Sequence, residues 1–176
     1  MGLLDNLGNL ANQFAAGRAS ESDVHSTYDQ VAQAAPKASL ADALTHAFQS
    51  DQTPPFEQML SQLFNQSSPE QKAGILNQIL SALGPNAASL LGSAGLGGLA
   101  ASLSKGGASP GGVPQVTPQQ AQQIPPQTVE VLAQKAAKKD PSIVDQASAF
   151  YAQHPTLVKA IGAGALALLL SHMSRR

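Results

Sequence analysis

The run Ala160–Leu170 (Ala-Ile-Gly-Ala-Gly-Ala-Leu-Ala-Leu-Leu-Leu) carries no polar side chain. A helix that is apolar nearly all round has to be buried, by the rest of the chain, by a second copy or by lipid. Which of the three buries it is the main constraint on what this chain can fold into. A membrane span needs roughly 20 apolar residues, about 30 Å. Here Thr156–Met173 is interrupted by Lys159 and ends in Ser171-His172. The uncharged part, Ala160–Ser171, reaches only about 18 Å at 1.5 Å per residue. The expectation is therefore a core or interface helix. The alternative is a peripheral or tail-anchored membrane protein using residues 156–176, with Lys159, Arg175 and Arg176 near the membrane surface.

Composition narrows the fold. Aromatic residues make up 4% of the chain, Trp is absent, and charged residues are 12%, against a usual share of about 25%. Without large rings, burial falls to Leu, Ile and Val stripes, with Ala permitting close helix approach. Strand formers are sparse while Ala, Leu and Gln are abundant, which predicts an all-α chain. Residues 1–72 hold eight acids against three bases, a net of −5, whereas residues 130–176 hold three acids against six bases, a net of +3. That polarity can steer one end of the molecule onto the other, within a chain or between chains. The basic footprint is too small, and too poor in interleaved aromatics, to predict nucleic-acid binding. Cysteine is absent, so thiolate sites are excluded. Met1–Asn6 lacks the basic and apolar regions of a signal peptide, and Asn6 stands where a myristoylation signal needs Ser or Thr. The expected location is the cytoplasm, with membrane association as the alternative.

Along the chain, Leu3, Leu4, Leu7, Leu10 and Phe14 recur at helical steps and predict an amphipathic helix over 1–17. A helical core unit over 18–84 follows, each helix opened by a cap. Ser20–Asp23 precedes Val24, Tyr28 and Val31. Ser39–Asp42 precedes Ala43, Leu44 and Phe48. Thr53-Pro54 puts Pro in the first turn ahead of Phe56, Met59, Leu60 and Leu63. Ser68-Pro-Glu-Gln71 is a capping box leading to Ile75, Leu76, Ile79 and Leu83, with Gly84-Pro85 as its stop. Residues 85–104 form a Gly/Leu-rich helical segment carrying Leu91, Leu96 and Leu99, and 105–117 reads as a Gly/Pro linker. A C-terminal helical unit occupies 118–176. Thr117-Pro118, Pro125-Pro126, Asp140-Pro141 and His154-Pro155 open its helices, and the last of these carries Ile161, Ala165, Leu168 and Leu169. About 8–10 short helices are expected.

Signatures of chemistry are missing from this pattern. His25, His46, His154 and His172 have neither the spacing nor the companions of a metal site, so no metal or cofactor is expected. Asp42 and His46, one turn apart, read as a helix-surface contact rather than a catalytic dyad; a dyad would need a pocket around His46. No nucleophile elbow, Walker loop or dinucleotide fingerprint occurs, and Gly95–Gly98 lacks the Lys-Ser/Thr of a phosphate loop. No small-molecule substrate is indicated.

Met1-Gly-Leu-Leu-Asp5, the Gly/Leu-rich stretch Leu90–Leu99 and the Ser68–Gln71 cap resemble features of the YidB-like bacterial proteins, small helical proteins without an established activity. The likeness covers about a quarter of the chain. Thr53–Leu83 and Asp140–Leu170 also look like stretches of uncharacterised bacterial helical proteins. The long C-terminal apolar run departs from the YidB-like pattern, and the resemblance transfers no functional residue. The resulting expectation is a non-enzymatic structural protein that forms homo-oligomers. Leu3, Leu4, Leu7, Leu10, Phe14, Leu91, Leu96, Leu99, Ile161, Ala165, Leu168 and Leu169 would supply the contacts.

Overall fold

A computed structural model describes residues 20–98, 100–101 and 115–175, together with Asn9, Gln13, Ala16 and Arg18. The chain is all-α, with no strand among the described residues. The expected helix over 1–17 falls almost wholly outside them, as does most of the linker. The described chain forms two compact units, one from residues 1–55 and 148–176, the other from 56–147.

The first unit contains α1 (Glu21–Ala34), α2 (Lys37–Phe48), α9 (Pro155–Val158), a 3-10 turn (Lys159–Ile161) and α10 (Ala163–Ser174). Its α1 begins with a full capping box: the Ser20 hydroxyl accepts from Asp23 N–H, and the Asp23 carboxylate accepts from Ser20 N–H. Helix α2 starts at Lys37, directly after Pro36. That is earlier than the Ser39 cap predicted, because the fixed φ of Pro36 already sets the chain up for a first turn. Thr53 also departs from expectation. Its hydroxyl donates to the carbonyls of Ala47 (2.5 Å) and Ser50 (3.0 Å), so it closes the end of α2 instead of opening the next helix.

The apolar run is packed against α2 and α1. Of its residues, Leu166, Leu169 and Leu170 are fully buried, alongside Val24 and Tyr28 of α1 and Leu40 and Leu44 of α2. Burying a leucine contributes about 1.5–3 kcal/mol, so this helix anchors the unit. The run is not one continuous helix, as expected from sequence. It breaks at Gly162, which sits at φ +90, ψ 156, a conformation costly for any residue with a Cβ. Ahead of the break the chain makes a short helix and a 3-10 turn; beyond it α10 runs for 12 residues.

The second unit contains α3 (Phe56–Gln66), α4 (Pro69–Leu83), a 3-10 turn (Gly84–Asn86), α5 (Ala87–Ser93), α6 (Pro118–Gln122) and α7 (Pro126–Lys139). Helix α8 (Ser142–Ala152) carries the chain across the unit boundary at Ala147/Ser148. Helix α7 packs against both α3 and α4, and α6 packs on α4. The box predicted at Ser68 forms with Pro at N1, and the cap-plus-proline start predicted at Thr117 also closes into a full box; each has a Gln at N3. At the end of α4, Gly84 takes φ +63, and the Lys139 ammonium donates to the Leu83 carbonyl at 2.5 Å. A basic side chain from the last turn of α7 thus satisfies a terminal carbonyl of α4.

The units do not follow the expected boundaries. The stretch 18–84 divides between Pro55 and Phe56, and 118–176 divides inside α8. The reason is burial: α1 and α2 take their main cover from α10, at the far end of the chain.

Candidate functional site

The groups with the most chemistry lie in the first unit, around α10. The imidazoles of His46 (α2) and His172 (α10) stack with centroids 4.3 Å apart and planes 25° from parallel. His46 is exposed and His172 half-buried. The Asp42/His46 pair is therefore not enclosed by a pocket, and His46 spends one ring face on another imidazole. On the other side of Gly162, Lys159 forms an ion pair with Asp29 of α1 at 2.5 Å, both side chains partly exposed. Phe150 contacts Tyr151 edge-on (5.3 Å) and His154 at 5.2 Å, while Tyr151 is buried.

Tyr28 is fully buried in α1, and its hydroxyl has no hydrogen-bond partner among the described residues. Burial pushes this phenol far above its ordinary range, and the neighbouring Asp29 charge adds to the effect. Asp23 is held below the usual carboxylate range by hydrogen bonds from the Ser20 hydroxyl and backbone. Tyr28 is out of a substrate's reach, and Asp23, though exposed, has its carboxylate engaged in the cap of its own helix. No cluster of three or more acids and histidines is placed to hold a metal among the described residues.

In the second unit, an open cleft of about 410 Å³ is lined by Leu83, Asn86, Ser89, Leu90, Lys135 and Lys139. Its lysines bring one charge sign to an apolar floor, and Lys139 is committed to the Leu83 carbonyl. The same unit holds a clamp that nothing in the sequence signals. Asn77 of α4 accepts from Val116 N–H (2.7 Å) and donates to Val116 C=O (3.2 Å), pinning the chain just before α6.

The residues predicted to form an interface fall into three groups. Leu3, Leu4, Leu7, Leu10, Phe14 and Leu99 lie outside the described residues, as does Arg176. Leu91, Ile161, Ala165 and Leu169 are buried within the chain. Leu96 and Leu168 are half-buried and Arg175 is exposed. Ala165 and Leu169 of α10 are thus core of the first unit, and Leu168 lies at its edge. The histidine stack had no sequence signal, since its members lie on helices far apart in the chain. The Lys159–Asp29 pair had a faint one, the acidic N-terminal and basic C-terminal halves.

No family model matches the chain, and neither does a curated protein or a solved structure. The likeness to YidB-like proteins rests on the residues quoted for it. No helix among the described residues is long and apolar enough to cross a membrane.

Proposed function

We propose that this protein is a non-enzymatic helical scaffold that self-associates through its N-terminal amphipathic stripe, Leu3, Leu4, Leu7, Leu10 and Phe14. One observation carries the reading: the apolar run of the C-terminus is taken up by α1 and α2 of the same chain. The longest apolar stripe of the sequence outside the described residues is the one at 3–14, whose polar side (Asp5, Asn6, Asn9, Gln13) is nearly uncharged. Such a stripe suits a protein partner better than a lipid surface, where Lys and Arg are usual on the polar side. The half-buried Leu96 in the Gly/Leu-rich segment extends the available apolar surface. The non-enzymatic part is supported by the exposed Asp42/His46 pair and by the open, one-signed cleft of the second unit.

Light scattering of the full chain over about a hundredfold dilution tests this, because association follows mass action. The expected result is a mass above 18.0 kDa that Leu7→Asp with Leu10→Asp reduces to the monomer. A monomer at every concentration would sink the proposal.

A further inference from the structure

Helix α10 is the most apolar helix among the described residues, yet charged or titratable groups tie down both of its sides. His172 in its last turns stacks on His46 at 4.3 Å, and Lys159, just ahead of Gly162, pairs with Asp29. Neutral imidazoles stack favourably; two imidazoliums at this separation repel. The elements packed on α10 carry Lys37 and Asp42 on α2, Glu21, Asp23, His25 and Asp29 on α1, and Lys159 in the preceding turn. Arg175 follows α10 directly. Asp42, one turn before His46, offsets one positive charge, while Arg175, close after His172, adds another. Protonating both rings sets two cations face to face at 4.3 Å.

From Gln146 to Arg176 the chain has no acidic side chain, and it holds Lys159, Arg175, Arg176, His154 and His172. We infer that mild acid releases this segment from α1 and α2, and that it then binds an anionic lipid bilayer. Charge complementarity selects the partner: a cationic segment around an apolar helix suits a surface of negative headgroups. Twelve residues span only about 18 Å, so α10 lies along the interface rather than across it. His172 acts twice, loosening the junction and adding charge, and His154 supplies the segment's second new charge. Two further cations near an anionic surface raise partitioning about thirtyfold.

The test is flotation of the full-length protein with phosphatidylcholine vesicles containing about one third phosphatidylglycerol, at about pH 7.5 and about pH 5. Binding should rise about thirtyfold on acidification and stay at the neutral-pH level with phosphatidylcholine alone. His46→Phe keeps a ring for His172 to stack on but removes one titrating group, so its binding should change only a few-fold. Without lipid, amide exchange over 163–173, corrected for its intrinsic pH dependence, should quicken in acid for the wild type and not for His46→Phe. The inference is overturned by equal binding at both pH values, by equal binding to zwitterionic vesicles, or by an unchanged response in His46→Phe. Lipid-free aggregation in acid would assign the released helix to a second copy and overturn it as well. Neutral-pH light scattering without lipid reads the self-association proposal alone, so the two can fail separately.

Discussion

Helices α7 and α10 both lie against two partners, α3 and α4 for one, α2 and α1 for the other, but they are written differently. Helix α7 buries Val129, Leu132, Ala133 and Ala136 along one stripe and leaves Glu130, Gln134, Lys135 and Lys138 to water or part-covered. Helix α10 buries Ala163, Ala165, Leu166, Ala167, Leu169, Leu170 and Met173, which leaves almost no polar side. A stripe names the direction of its partners; an all-round apolar surface states only that partners exist. The second unit is also assembled from nearby segments, whereas the first needs both ends of the chain. Freed from its partners, α7 keeps a solvated face and α10 does not.

The largest expected effects come from cutting each central helix at a fully buried leucine. Leu169→Ala in α10 and Leu132→Ala in α7 should each cost about 2–5 kcal/mol, from lost burial plus the cavity left behind. The comparison predicts where protection from amide exchange is lost: over 21–48 and 155–174 for Leu169→Ala, over 56–139 for Leu132→Ala. Equal loss everywhere in both variants would break the division into two units.

Next in size are two turn glycines, one taken from each unit. Gly162→Ala places a Cβ in open space, so its whole cost is the backbone at φ +90, about 1–3 kcal/mol. Gly84→Ala meets the Lys139 ammonium at 3.3 Å as well, so it should also loosen that ammonium from the Leu83 carbonyl. Thermal melts of the two variants, read beside Lys139→Met alone, separate backbone strain from the lost carbonyl contact. If Gly162→Ala proves neutral, the break in the apolar run is not set by Gly162. The Asn77 clamp should be worth slightly less. Asn77→Leu leaves the N–H and C=O of buried Val116 without their partner, costing about 1–2 kcal/mol. Limited proteolysis near residue 116 should quicken while α1 and α2 stay protected.

Sequence and structure agree most where structure is local. The caps predicted at Ser20, Ser68 and Thr117 all form, the last two with Pro at N1. All three close into boxes, though the sequence pattern predicts a box only at Ser68; a hydroxyl and an N3 side chain satisfy orphan N–H groups within one turn. Reading failed where a decision was tertiary. Ser39 has the right chemistry for a cap, but Pro36 starts the helix first, and Thr53 turns its hydroxyl back to Ala47. The partner of the Ala160–Leu170 run could not be read, since an apolar helix without a polar side fits chain, copy and lipid alike. Neither the His46–His172 stack nor the Asn77–Val116 clamp leaves a trace in spacing, as each joins segments with no local relation. Apolarity marks Ala165 and Leu169 of α10 equally as interface and as core, and only their burial against α1 and α2 decides for core.

The smallest effect concerns the one place where α1 carries a buried polar atom without a partner among the described residues, the Tyr28 hydroxyl. Tyr28→Phe removes that hydroxyl while keeping the ring, so it should stabilise the unit by about 0.5–1.5 kcal/mol, visible as a raised denaturant midpoint at neutral pH. The pH dependence has a definite sign. Burial raises the folded-state pKa of this phenol, so the folded chain holds its proton after the unfolded chain has lost it. The associated stability is full below about pH 10, the ordinary phenol value, and declines as pH rises further. The phenyl ring of the variant cannot ionise, so the gap between variant and wild type should widen in alkali. No alkaline widening, with no gain at neutral pH, would mean that the Tyr28 hydroxyl is solvated in the folded protein. The close packing of α1 inferred for the first unit would then fail, while the second unit, with its own stripe and clamp, would be unaffected.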